Sequence, residues 1–131
     1  MRLDKGIQLL HEVPGDGTMA VDGATVVFNA RFFLRRGEEV TNDHEILSRP
    51  GNIVPARIIG GVELIDHVTE LGRRHSLAGV ELSLRGMRVH GYREVLVAPR
   101  LAYGRSGVPN RIPANAMLRI QLWLQDVSVA P

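Results

Sequence analysis

The stretch from Leu101 to Val127 reads LAYGRSGVPNRIPANAMLRIQLWLQDV and predicts a loop that leads into a strand. Its second half alternates between an apolar set and a mostly polar set of side chains. The apolar set is Leu118, Ile120, Leu122 and Leu124, and the other set is Arg119, Gln121, Trp123 and Gln125. A period of two is typical of a strand with one buried face.

The first half of this stretch predicts irregular backbone. Glycines and prolines interrupt it at Gly104, Gly107, Pro109 and Pro113. Glycine adopts unusual backbone angles and proline has no N–H to donate, so neither favours regular structure here. The loop carries Tyr103, Val108 and Ile112, and a loop with apolar side chains suits contact with an apolar partner.

These motifs resemble the FKBP family of peptidyl-prolyl cis-trans isomerases. The matching blocks are Ala102–Gly104, Gly107–Pro109, Ile112–Ala116, Gly86–Arg93 and Gly15–Gly17. They follow the family's order and cover most of residues 6–40 and 76–128. The resemblance implies an α+β fold, in which a curved antiparallel sheet of about five or six strands, a half-barrel, wraps around a short amphipathic helix.

The pattern of the other segments agrees with this fold. Strands are predicted at residues 6–13, 24–34, 38–42, 54–59 and 92–99. The second and third of these strands form an antiparallel hairpin, because three residues cannot make a parallel crossover. A helix is predicted to begin at Ser76 as N-cap, with Leu77, Val80, Leu84 and Met87 on its apolar face.

Residues 44–75 have little counterpart in the family and are interpreted as an insertion. Val62, Ile65, Val68 and Leu71 fall at helical spacing, so we predict an extra helix from about Glu63 to Leu71 that Gly72 ends. The chain as a whole, residues 1–131, is expected to form a single FKBP-like domain that includes this insertion.

Bulk properties exclude several classes of protein. The chain has no cysteine, which excludes disulfides and cysteine-based zinc or redox sites. No apolar run approaches the roughly 20 residues of a membrane span, and residues 1–10 do not read as a signal peptide. We therefore expect a cytoplasmic protein with no membrane partner.

The charge does not favour a nucleic-acid partner. The formal net charge is only +2, and the high isoelectric point of about 9.7 reflects the predominance of arginine among the cations. The pairs Arg35-Arg36 and Arg73-Arg74 are isolated and have acidic neighbours. Nucleic-acid readers show a concentrated basic stripe instead.

No motif for metal or nucleophilic chemistry is present. The five histidines, His11, His44, His67, His75 and His90, form no metal-binding pattern. Ser76 and Ser106 lie outside any nucleophile elbow. We expect no metal and no cofactor. Prolyl isomerisation needs neither, because a dry apolar pocket favours the twisted, less polar amide over the planar one.

The resemblance implies particular site residues. The catalytic positions are Tyr103, whose hydroxyl bonds a substrate carbonyl, Ile112 on the flap, and Leu77, whose backbone amide receives a carbonyl. The substrate-binding positions are Val80, Ile120, Val40, Thr41, Asn29 and Val108. Asp43, two residues beyond Thr41, is an alternative source of the family's carboxylate.

Three aromatic walls of the family's pocket are aliphatic in this chain, at Val40, Val80 and Ile120. Each aromatic would bury about 150 to 250 Å², so we expect weak binding of the macrolides tacrolimus and rapamycin. Alternatively, Val80 and Ile120 are core residues that do not contact substrate.

Two functions follow from the sequence. The first is an FKBP-type isomerase that acts, as a monomer, on proline-containing polypeptides. The alternative is a weak or inactive module of the same fold that binds apolar or prolyl segments of a partner protein.

Overall fold

Two long antiparallel strands form the centre of the sheet in the computed structural model, which describes residues 1–40 and 56–129. Strand β3 spans Thr25–Leu34 and strand β9 spans Leu118–Ser128. They pair from Thr25 opposite Ser128 to Leu34 opposite Leu118. The apolar set predicted for β9 is fully buried, each side chain at 0% exposure, which confirms the period of two.

The other elements in the described ranges are short. The strands are β1 Arg2–Asp4, β2 Ile7–Val13, β4 Glu39–Val40, β5 Ala56–Ile59, β6 Val62–Ile65, β7 His67–Glu70 and β8 Tyr92–Val97. A helix, α1, spans Ala78–Leu84, and a 3-10 turn spans Pro99–Leu101. The main sheet has the order β1-β2-β8-β9-β3-β4, and β7 pairs with β3 beside β4.

This architecture confirms the predicted α+β class, since the described residues form a short helix, α1, that packs against an antiparallel sheet. The predicted hairpin of β3 and β4 is present, with Phe32 opposite Val40. The sheet has seven strands in the described part of the chain rather than five or six, because β1 extends one edge and β7 lies alongside β3. The core lies between α1 and the face of the sheet that carries Phe28, Val95 and Ile120.

The predicted helix from Glu63 to Leu71 is wrong, because this segment forms β6 and β7. Gly60 and Gly61 have φ of 57° and 81°, which is the left-handed turn that joins β5 and β6 into a hairpin. In β7 the buried residues are His67 and Thr69, whereas Val68 is 61% exposed. The buried positions of β7 are polar and an exposed position is a valine. The apolar residues of this segment therefore fall at helical spacing although the segment is a pair of strands.

The start of α1 also differs from the prediction. Leu77, and not Ser76, occupies the N-cap position, and it makes no side-chain capping bond. The Ser76 N–H instead donates to the carboxylate of Glu81, at 3.0 Å. The apolar face is as predicted, since Val80 and Leu84 are fully buried.

No helix among the described residues is both long enough and apolar enough to cross a bilayer. The predicted insertion falls partly in residues 44–55, outside the described residues. The assignment of residues 1–131 to one domain stays a prediction.

Shortening a core leucine of β9 tests the central ladder. Leu122→Ala should lower the free energy of unfolding by about 2 to 5 kcal/mol, because Leu122 has 0% exposure and its removal leaves a cavity. Asp126→Ala, at an exposed position of the same strand, should change it by less than about 0.5 kcal/mol. Urea unfolding followed by circular dichroism measures both, and equal effects would contradict the assigned face.

Candidate functional site

The loop between β8 and β9 folds back on itself as a short hairpin, which we call the flap (residues 103–113). Val108 N–H donates to the Ile112 carbonyl at 2.8 Å, and Ile112 N–H donates to the Val108 carbonyl at 2.9 Å. Gly107 N–H donates to the Tyr103 carbonyl at 3.0 Å, which closes a turn at the start of the flap. Backbone bonds thus hold the apolar side chains of the loop in one arrangement.

Gly107 shows why the flap needs a glycine. Its φ is +58°, and a Cβ there would lie 2.3 Å from the Ile112 carbonyl oxygen and 2.8 Å from that of Pro113. Any side chain would have to displace backbone atoms, so substitution would open the hairpin. The glycine therefore allows Ile112 to turn inward to 4% exposure.

Helix α1 carries the facing side of the site and is held close to the sheet. A Cβ on Gly79 would lie 2.5 Å from a Val97 methyl carbon and 2.8 Å from the Leu101 carbonyl oxygen. This close approach is possible only without a side chain. At the other end of α1, Arg93 of β8 donates to the carbonyls of Ser83 and Arg85, both at 3.0 Å. These carbonyls lack partners within the helix.

A buried carboxylate fixes the loop that enters α1. Glu81 is 5% exposed, and its two oxygens accept the backbone N–H groups of Gly72 and Ser76, each at 3.0 Å. Charge-assisted bonds of this kind offset the cost of burying a carboxylate. They position the backbone immediately before Leu77. The sequence analysis did not identify Glu81 as important. The signal that could have identified it is a single acidic residue within the narrow apolar face of the helix.

The structure places seven of the nine predicted site residues in the main hydrophobic core or packed against it. Val40, Val80, Ile112 and Ile120 are buried members of this core, and Leu77, Tyr103 and Val108 are partly buried against it. The last three therefore supply the accessible surface of the site, whereas Val80 and Ile120, both at 0% exposure, lie beneath it. Val40 lies on the same face because it is opposite Phe32, which is opposite Ile120.

Asn29 is a correction to the predicted site. It lies opposite Trp123, on the face of the sheet that points away from Ile120. Its side-chain N–H groups donate to the Ile65 carbonyl at 2.8 Å and to Asp66 at 2.7 Å. Its side-chain oxygen accepts from Gln125 at 2.9 Å. Asn29 thus joins β3 to the β5–β6 hairpin and does not line the pocket. Thr41 and Asp43 lie outside the described residues.

Two polar groups of the site point to hydrogen bonding rather than acid-base chemistry. Burial raises the pKa of Tyr103 to about 12, so its hydroxyl stays protonated near neutral pH. The backbone N–H of Leu77 has no acceptor among residues 1–40 and 56–129. An apolar surface with an O–H donor and an N–H donor can hold the carbonyls of an extended peptide.

Comparison with known proteins gives a family match. Residues 62–124 match the family described as FKBP-type peptidyl-prolyl cis-trans isomerase. The chain is 31% identical over 129 residues to peptidyl-prolyl cis-trans isomerase FKBP16-4, chloroplastic, of Arabidopsis thaliana, covering 98% of this chain and 51% of the relative. It is 39% identical over 75 residues to peptidyl-prolyl cis-trans isomerase FKBP11 of Bos taurus, covering 56% of this chain and 37% of the relative.

A third relative aligns over nearly the whole chain. FK506-binding protein 4 of Chaetomium thermophilum is 29% identical over 122 residues, which is 93% of this chain and 23% of that protein. The chain thus spans about half the length, or less, of these curated relatives.

Replacing Asn29 separates a structural role from a role in the site. Asn29→Ala should lower the free energy of unfolding by about 1 to 3 kcal/mol, because the buried partners of the amide lose their bonds. Spectra of the flap and α1 amides should stay unchanged, since Asn29 lies on the other face. Urea unfolding and backbone amide NMR measure the two effects. Large chemical-shift changes of the Leu77 and Ile112 amides without loss of stability would contradict this and would indicate that Asn29 is part of the site.

Proposed function

The chain belongs to the FKBP-type peptidyl-prolyl cis-trans isomerase family, and we propose that it catalyses rotation about X-Pro amide bonds in polypeptides. One observation carries the proposal: Leu77, Tyr103 and Val108 are each partly exposed and pack against the same buried core, which includes Ile112. The flap and α1, which carry these residues, are each held by backbone bonds.

The physical basis is the polarity of the amide. Rotation about the C–N bond passes a barrier of about 18 to 20 kcal/mol, because resonance is lost at the twist. The twisted amide has less charge separation than the planar one, so an apolar environment favours it relative to water. The surface of Leu77, Tyr103 and Val108, with Ile112 buried against it, supplies that environment without any covalent step.

The two donors of the site orient the peptide. The Tyr103 hydroxyl is proposed to donate to one substrate carbonyl, and the Leu77 backbone N–H to another. Each neutral bond contributes about 0.5 to 1.5 kcal/mol. Fixing the chain on both sides of the proline lets only the prolyl amide rotate. Val108 contacts the prolyl ring, and the buried Ile112 supports this part of the flap.

A second candidate function is supported by the burial of the pocket floor. Val80 and Ile120 have 0% exposure and Val40 has 5%, so these positions offer little surface to a deeply inserted ring. A module that holds apolar or prolyl segments of a partner protein, with slow turnover or none, also fits this floor. The same burial supports the expectation of weak macrolide binding. The cytoplasmic location and the monomeric state stay predictions.

Matched tyrosine variants test the isomerase. Tyr103→Phe should lower kcat/KM on an X-Pro peptide by about twofold to tenfold, because one hydrogen bond to substrate is lost. Tyr92→Phe is the control, since Tyr92 lies on the opposite face and burial likewise raises its pKa to about 12. It should leave kcat/KM unchanged in a protease-coupled or NMR exchange assay.

Matched isoleucine variants test the apolar contact. Ile112→Ala and Ile65→Ala both shorten a buried isoleucine, at 4% and 8% exposure, and each should lower stability by about 2 to 5 kcal/mol. Only Ile112→Ala should also lower kcat/KM, by about tenfold. A wild-type rate equal to the uncatalysed rate would eliminate the isomerase, and retained peptide binding would then support the binding module.

The pH profile offers an independent test. Tyr103 donates when protonated, and a pKa raised to about 12 keeps it protonated throughout the neutral range. We therefore expect kcat/KM to be flat between about pH 6 and pH 9. A bell-shaped profile in this range would indicate general acid-base catalysis and would contradict the proposed mechanism.

A further inference from the structure

An open groove runs along the flap, next to the turn between β3 and β4. Its volume is about 460 Å³. On one side lie Leu34 at the end of β3 and Arg36 of the turn, and on the other side lie the flap residues Val108 and Pro113. Val108 lines this groove and also belongs to the accessible surface of the candidate site. The groove is therefore continuous with the surface on which a proline would bind.

A second hollow extends the groove. It has a volume of about 250 Å³, shares Leu34, Arg36 and Pro113 with the first, and continues to Arg35 and Met117. Together the two hollows form one track, which we call the flap groove. Such a track suits an extended chain better than a compact small molecule.

The described residues that line the flap groove carry an excess of positive charge. Arg35 and Arg36 supply it, and Glu38 is the one carboxylate among those described residues. Arg36 and Glu38 are 3.4 Å apart, but their side chains are 81% and 61% exposed. An ion pair so exposed contributes little, so a carboxylate from outside can compete with Glu38.

The apolar residues of the lining favour a polypeptide over a nucleic acid as the ligand of the groove. Leu34, Val108 and Pro113 supply aliphatic surface, and no aromatic side chain lines either hollow among the residues described there. Single-stranded nucleic acids rely on aromatic stacking as well as on cations. Arginines beside aliphatic surface match a chain in which carboxylates alternate with apolar groups.

We propose that the flap groove binds an acidic stretch next to the proline of the polypeptide substrate. The inference rests on the proposed isomerase function and adds a preference in substrate: carboxylate side chains flanking the X-Pro bond. The preference is electrostatic and weakens as salt screens exposed charges, with a Debye length of about 10 Å at 0.1 M.

Paired peptides test this preference. Peptides of one length share an X-Pro core and carry either a run of glutamates or a run of glutamines, before the proline in one pair and after it in another. At low salt, kcat/KM and binding by NMR titration should favour one glutamate peptide by about threefold to tenfold. High salt should abolish the difference.

A double variant assigns the effect to the groove. Arg35→Ala with Arg36→Ala should reduce the preference below about twofold and leave the glutamine peptides unchanged. Arg2→Ala with Lys5→Ala removes the same charge from exposed positions at the β1 edge of the sheet and should retain the preference. Equal losses in both double variants would show a general charge effect and overturn the proposal.

The binding measurement separates this proposal from the isomerase function. If no peptide is turned over, the isomerase fails, but unequal binding of glutamate and glutamine peptides still supports the groove. If the peptides are turned over but the glutamate and glutamine peptides show equal binding and equal kcat/KM, the isomerase function is supported and the proposed acidic preference of the groove is overturned. Single-stranded RNA that binds more tightly than the glutamate peptides, through the same arginines, also overturns it.

Discussion

The antiparallel pairing of β3 with β9 is the constraint on which the rest of the structure depends. Residues directly opposite each other project to the same side of a sheet. The register that places Ile120 opposite Phe32 and Trp123 opposite Asn29 therefore assigns every side chain of both strands to one of two surfaces. One surface joins α1 and the flap in a single apolar cluster. The other surface carries polar and aromatic side chains, so chemistry that needs a dry environment is confined to the first.

Local signals were sufficient for the parts of the chain that organise the site. The strict alternation from Leu118 to Leu124 identified both the strand and its buried face, because successive side chains point to opposite faces in a strand and not in a helix. Glycines and prolines marked the flap, where Gly107 has no room for a Cβ. The apolar spacing of Val80 and Leu84 identified α1. In each case the residue type that the backbone or the core requires is the type that the sequence displays.

Three features could not be predicted from the local sequence, because each depends on contacts between residues that are distant along the chain. His67 and Thr69 are buried polar residues, so β7 does not show the alternation of an ordinary strand. The face of Asn29 depends on register, since a shift of one residue moves a side chain to the other side, and β3 has such an irregularity at Val27 and Phe28. The Glu81 carboxylate bonds amides of Gly72 and Ser76 that are brought to it only in the folded chain.

The outer face of the sheet has a consequence for spectroscopy. Trp123 is the single tryptophan of the chain, and its ring lies 5.1 Å from that of Tyr92, with which it is paired across β8 and β9. Its ultraviolet emission therefore reports on the integrity of these two strands and on anything that covers the outer face. A peptide lodged beneath the flap would leave that emission nearly unaltered, so an extrinsic dye on the flap would be the informative optical probe of occupancy.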